Sequence, residues 1–166
     1  ALGSNKTLVS WLCLDNPVSD SSPDGGPLGL QSADGSTYDS IVYGERTARQ
    51  WMNGSESYNR TPVNNGGAAE SSVSRRIMTV ITYDSTSSYP IKLYRNGVLY
   101  AQVHQGALRT FEADARAVMG PRVGTAGYMN GAVDEARLYS GTLGGTAILD
   151  LYRKGPDECG VFIIIR

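Results

Sequence analysis

Hydrophobic positions along this chain fall in short runs with a period near two, separated by clusters of Gly, Pro, Asn, Asp and Ser. Thr7 to Asp15 (Thr-Leu-Val-Ser-Trp-Leu-Cys-Leu-Asp) is almost continuously apolar, the pattern of a strand covered on both faces, with Trp11 in the core. Asn16 to Pro27 holds Asn-Pro, Ser-Ser-Pro and Asp-Gly-Gly and reads as a loop. Leu28 to Ser32 and Thr37 to Gly44 form a strand pair around Ala33-Asp34-Gly35-Ser36. Ser57 to Ser74 is polar and Gly-rich, and is the longest candidate binding loop. Ile77 to Tyr83 is a strand. Ile91 to Arg95 and Val98 to Val103 flank Asn96-Gly97, residues suited to the left-handed angles of a type I′ turn. Ala115 to Val123, Met129 to Tyr139 and the final Val161 to Ile165 supply the remaining strands. Only residues 146 to 153 look helical, and Gly144-Gly145 stands where a capping side chain would help, so that helix is expected to be short or frayed.

Strict alternation then assigns faces. The two-residue turn sets Leu93 opposite Tyr100 and Tyr94 opposite Leu99, with Leu99, Ala101 and Val103 toward the core and Tyr100, Gln102 and His104 on the other face, suited to a groove. In the last long strand Asp134 shares a face with Ala132, Ala136 and Leu138, so its carboxylate is expected on the apolar side, held by donors in a structural role. Turn chemistry, not helical crossovers, separates the strands. The expectation is an all-β, antiparallel two-sheet sandwich with one short C-terminal helix.

Composition agrees: ten Tyr and twenty Gly among 166 residues suit a turn-rich β protein. Fifteen basic against sixteen acidic residues, in no long run of either sign, argue against nucleic acid as a partner. No apolar stretch approaches the roughly 18 residues a membrane-spanning helix needs, so no membrane insertion is expected. The opening Ala1-Leu2-Gly3-Ser4 lacks an initiator Met, which leads us to expect an excised domain or a processed product.

Several motifs carry a family resemblance. Gly131-Ala132-Val133-Asp134-Glu135-Ala136-Arg137-Leu138-Tyr139, followed by a helix ending Leu151-Tyr152, resembles the closing signature of laminin G-like, concanavalin A-like jelly rolls. Asn5 to Trp11 with Leu14-Asp15-Asn16, Ile41 to Arg46, Trp51 to Ser55 and Tyr94 to Gly97 resemble the type appended to bacterial carbohydrate-active enzymes and planctomycete-like surface proteins. The resemblance implies one domain over 1–166 with its core at 5–153. Residues 154–166 would be an extra edge strand or the start of a neighbouring segment. It implies an extracellular, periplasmic or cell-surface setting and a noncatalytic module that binds glycan or another surface ligand, covalently linked to neighbouring domains. Laminin G-like domains often hold calcium, and Asp20 and Asp24 offer hard oxygen ligands, although a solvated turn is the favoured reading of this loop because no full ligand set can be assigned; no other cofactor is implied. Because jelly-roll termini commonly meet, Cys13 and Cys159 could pair in an exported protein, or stay as small core thiols.

Sugar binding needs a flat aromatic beside hydrogen-bonding groups. Trp51, Asn53 and Tyr58, flanked by Glu45, Arg46 and Arg60, supply that set, against the alternative of a Trp packed under a long loop. The second candidate face is Tyr100, Gln102 and His104. Jelly-roll alginate lyases place a Gln and a His at the Gln102–His104 spacing, but their Arg-x-Glu-Leu-Arg and Tyr-x-Lys-Ala-Gly-x-Tyr strands are missing here. Retaining glucanases need two carboxylates about 5 Å apart on one face, which adjacent Asp134 and Glu135 do not give under strict alternation. With one His and two distant Cys, no zinc site is expected. The remaining alternative is a structural spacer or protein-interaction module without a sugar site.

Overall fold

The computed structural model describes residues 1–15, 25–55, 61, 67–71, 75–104, 108–124, 126–157 and 162–165. In chain order the elements are β1 (Lys6–Leu14), β2 (Gly26–Gln31), β3 (Tyr38–Tyr43), β4 (Trp51–Ser55), β5 (Ile77–Tyr83), β6 (Ile91–Arg95), β7 (Val98–Val103), β8 (Arg116–Val123), β9 (Ala126–Tyr128), β10 (Gly131–Tyr139), α1 (Gly145–Lys154) and β11 (Phe162–Ile165). They build a sandwich of a six-stranded sheet, ordered β11-β10-β1-β5-β6-β7, and a five-stranded sheet, ordered β4-β3-β2-β8-β9. Every pairing is antiparallel except that of β11, which joins β10 in parallel.

The main core lies between the sheets, where Leu8, Leu12, Ile77, Ile81 and Leu93 meet Leu28, Leu30, Ile41, Tyr43 and Trp51. A second cluster sits on the other face of the six-stranded sheet: Val9, Trp11, Met78 and Val80 pack under Ile148 of α1, with Tyr94, Tyr139 and Leu151 around them. β1 is therefore covered on both faces, which is why its sequence reads as a continuous apolar run. Helix α1 starts at Gly144 without a side-chain cap and stops at Gly155 (φ 78°), whose N–H reaches the carbonyls of Leu151 and Tyr152. Ten residues of helix persist without an N-cap because the buried Ile148 anchors them to the sheet.

Two charges are buried in the main core. Lys6 Nζ lies 2.9 Å from Asp39 Oδ2 with both side chains essentially inaccessible, so the pair ties β1 of one sheet to β3 of the other. The same ammonium donates to the Arg109 carbonyl at 2.8 Å and sits over the rings of Tyr83 and Phe111.

Strict alternation fails at three places: an irregularity between Gly26 and Gly29 of β2, which alters no expectation, and two bulges that each correct one. Asn96 (φ 51°) and Gly97 (φ 81°) form the left-handed turn, and Tyr94 does pair with Leu99. Leu93, however, pairs with Ala101 instead of Tyr100, which makes Tyr100 an extra residue in β7. Ala101 and Val103 face the core as expected, while Leu99 is 48% exposed. The second bulge makes Asp134 the extra residue of β10, because Trp11 pairs with Glu135 and Leu12 with Val133. Asp134 therefore is not the buried carboxylate. It pairs with Arg76 at 2.8 Å near the surface, while Glu135 is buried, held by Arg137 and by the Asp157 N–H at 2.7 Å. Both acids are held in ion pairs, Asp134 with Arg76 and Glu135 with Arg137.

Removing one member of a buried ion pair strands the other, so Asp39→Asn is expected to cost about 3–5 kcal/mol in urea unfolding. An effect within experimental error would show that the pair is dispensable. In the turn at 32–37, hydrogen bonds from the Ser32 hydroxyl, and then from the Ser36 N–H and hydroxyl, lower the Asp34 carboxyl to about 2. A depressed folded-state value means that this carboxylate's contribution is full above the ordinary 3.8 and is lost as pH falls toward about 2. A carboxyl NMR titration of Asp34 should show that low midpoint, and a midpoint near 3.8 would mean the turn hydrogen bonds are absent.

Candidate binding site

The first candidate group is divided between interior and surface. In β4, Trp51 pairs with Tyr43 and Asn53 with Ile41, so both candidate side chains share the inward face of their core-forming partners. Trp51 is only 2% exposed, its ring 4.8 Å from that of Tyr43, and Asn53 is fully buried. Neither offers a face to a sugar, because the long loop's ends fold over β4: Thr61 bonds to Asn53 and Glu70 to Trp51. Glu45 is likewise occupied, by Arg122, while Arg46 is exposed. Tyr58 and Arg60 lie outside the described residues, as do Asp20, Asp24 and Cys159; Cys13 is partly buried on β1.

Trp51 instead belongs to a clasp that also takes in Tyr100 from the second candidate group. Trp51 Nε1 donates to Glu70 Oε1 at 2.7 Å, and Arg95 grips the same carboxylate through both oxygens, Nη2 to Oε2 at 2.6 Å. The bulged Tyr100 donates from its hydroxyl to the Ala68 carbonyl at 2.7 Å and accepts from the Trp51 N–H at 3.3 Å. Residues 67–70 thus bridge β4 and β7, the edge strands of the two sheets, and close that side of the sandwich. Gly67 is required by the close approach, since a Cβ there would fall 2.2 Å from the Tyr100 ring. Burial pushes the Tyr100 phenol above its ordinary value, and the hydrogen bonds to Glu70 raise the Arg95 guanidinium further. Glu70, the centre of the clasp, carries no periodic signal in the sequence.

The bulge separates Tyr100 from Gln102 and His104, which the sequence had grouped with it. Gln102 and His104 are exposed, on the face opposite Ala101 and Val103. Lys92 lies directly across from Gln102 in β6. Tyr89, which the sequence reading passed over, is 41% exposed and meets the His104 ring edge-on at 5.5 Å, while His104 Nδ1 contacts the Ser88 carbonyl. Asp84, held below its ordinary value chiefly by the Thr86 hydroxyl, also feels the charge of Lys92. The result is an aromatic, an imidazole, an amide and an ammonium on one outward face at the end of the β6–β7 hairpin. Among the described residues no group of three or more His, Cys, Asp or Glu side chains is placed to hold a metal, and no helix is long and apolar enough to cross a membrane.

Comparisons with known proteins add to this geometry. The laminin G-like family described as the concanavalin A-like lectin/glucanases superfamily matches residues 7–149. Among solved structures, domain 4 of AbnA, an extracellular arabinanase from Geobacillus stearothermophilus, in complex with arabinotriose, superposes with a TM-score of 0.67 at 15% identity, over 92% of this chain and 68% of that one. A Bacteroides ovatus protein proposed to bind carbohydrate gives 0.60 at 12% identity, over 90% of this chain and 41% of that one. A sialidase from Trypanosoma rangeli gives 0.57 at 19% identity, over 89% of this chain but only 22% of the enzyme. These likenesses establish the fold. A comparison with curated proteins finds no match.

The clasp makes Trp51 structural, so Trp51→Ala is expected to destabilise by about 3–5 kcal/mol, the usual range for truncating a core aromatic. Trp51→Phe keeps the ring but removes a donor to the buried Glu70 and should cost about 1–3 kcal/mol. Denaturant midpoints check both, and a Trp51→Ala midpoint equal to wild type would return the indole to the surface.

Proposed function

The chain belongs to the concanavalin A-like lectin/glucanases superfamily, and from that footing we propose that it is a noncatalytic carbohydrate-binding module of a larger extracytoplasmic protein, docking glycan on the face formed by Tyr89, Lys92, Gln102 and His104. One observation carries the reading: an exposed aromatic stands beside three hydrogen-bonding side chains on a hairpin whose register is fixed by the sheet. A tyrosine ring can cover the apolar face of a pyranose while amide, imidazole and ammonium groups satisfy its hydroxyls. The likeness to an arabinotriose-bound domain and to a protein proposed to bind carbohydrate supports the ligand class, and the extracellular setting of the former supports the location. Arg46, Tyr58 and Arg60 are a second candidate set for the same role.

A glycan array tests the proposal. Wild type should retain a defined set of glycans, and Tyr89→Ala or Gln102→Ala should weaken retention at least about tenfold while the thermal midpoint holds, as for exposed contact residues. Retention of no glycan by wild type favours a spacer or protein-interaction module. Loss of binding in Tyr58→Ala but not Tyr89→Ala moves the site to the long loop. The noncatalytic part is checked by incubation with uronate polymers: an absorbance rise from unsaturated product that disappears in His104→Ala would make the domain a lyase.

A further inference from the structure

At the other end of the same strands, beside the hairpin turn, a cleft of about 380 Å³ opens between the outer face of the six-stranded sheet and the C-terminal end of α1. Trp11 and Met78 line it from the sheet, Arg76 from the approach to β5, and Tyr152, Arg153 and Pro156 from the helix and its exit. We propose that this cleft is a second binding site, distinct from the Tyr89–His104 face, for a sugar ring bearing a carboxylate.

The argument rests on size, donors and walls. The volume falls in the range of small-ligand pockets. Among the described residues the lining holds two arginines and Trp11, and no Asp or Glu. Tyr152, 41% exposed, offers carbon surface against a ring, while Met78 and Trp11 are buried beneath it. The Trp11 indole N–H is buried with no hydrogen-bond partner among the described residues, and its residue lines the cleft. Its ring is held rigidly, with the Arg137 guanidinium 4.7 Å from the centroid and Arg137 itself fixed by Glu135 and Asp157.

The two lining arginines have partners. Arg76 contacts a buried oxygen of Asp134 at 2.8 Å, and Arg153 pairs with Asp150 at 3.6 Å, both of these last two side chains being about two-thirds exposed. A solvent-exposed pair such as Arg153–Asp150 is weak and reorients at little cost. A carboxylate entering a cleft whose lining is rich in donors, with a rigid indole beneath, competes with such a pair on favourable terms. A neutral sugar of the same skeleton lacks that term.

The test follows the two indole N–H resonances by NMR, the Trp51 signal being assigned by its loss in Trp51→Phe. Galacturonate should shift the Trp11 indole and leave that of Trp51 in place, while galactose should shift neither. The double variant Arg76→Ala/Arg153→Ala should weaken the galacturonate response at least about tenfold with an unchanged thermal midpoint. No movement of the Trp11 resonance with galacturonate overturns the site, and so does an equal response in the double variant. An equal response to galactose overturns the role of charge, and an equal response to sodium acetate overturns the role of the ring. Tyr89→Ala should leave the Trp11 response intact, so failure at one face is separable from failure at the other.

Discussion

A lysine ammonium in the interior of a β-sandwich constrains everything packed around it. Apolar faces alone would let two sheets slide over one another at modest cost, since one aliphatic contact replaces another. Lys6 removes that freedom. Its charge is acceptable only where Asp39 of the opposite sheet, the Arg109 carbonyl and the faces of Tyr83 and Phe111 converge. A displacement of either sheet over the other would draw these side chains apart and leave an unpaired buried charge, which is far more expensive than a lost methyl contact. The pair adds little net stability over a well-packed apolar pair, but it excludes the neighbouring registers. With that register held, the edges β4 and β7 stand close enough for residues 67–70 to span them, and the β6–β7 hairpin presents its outward face in a fixed position.

The elements that could be read from the sequence are those where periodicity and turn chemistry agree. β5 and the β6–β7 hairpin match their expected bounds, and β1 lies one residue earlier than expected at each end, because each is a β-branched or aromatic-rich run ended by turn residues. β4 escaped notice because Met52-Asn53-Gly54-Ser55 has almost no strand preference; the sheet makes it a strand through its pairing with β3. β9 is too short to leave a pattern. Asp39 was legible in principle, since alternation from Tyr43 and Ile41 puts it on the core face. Its partner Lys6 stands at the margin of an apolar run, where nothing in the pattern marks a charge as buried.

The site was harder to read for a different reason. An aromatic, an acid, an amide and arginines close together in sequence describe a sugar platform and an internal clasp equally well. Trp51, Glu70, Arg95 and Tyr100 form the clasp, and burial alone distinguishes the two, which composition does not reveal. Tyr89 was missed because it lies in a short polar connection and meets His104 only once β5, β6 and β7 are paired. Gln102 and His104 were placed on one face correctly, but Tyr100 was not, because counting by twos assumes one residue per step.

The two bulges have a further consequence. Tyr100 and Asp134 are each supernumerary: the pairing on either side of them is that of an uninterrupted ladder, so removal of either residue would leave every other cross-strand partnership unchanged. Elsewhere in these strands a single-residue insertion or deletion rotates every side chain beyond it to the wrong face. These two positions are therefore seams at which the reading frame of the sheet can gain or lose a side chain without being rewritten. Both supply polar chemistry at a margin of the six-stranded sheet, one to the clasp and one to the ion pair beside the Trp11 cleft. A lineage that varied the length of β7 or β10 at these points would alter what the domain touches while keeping what holds it together.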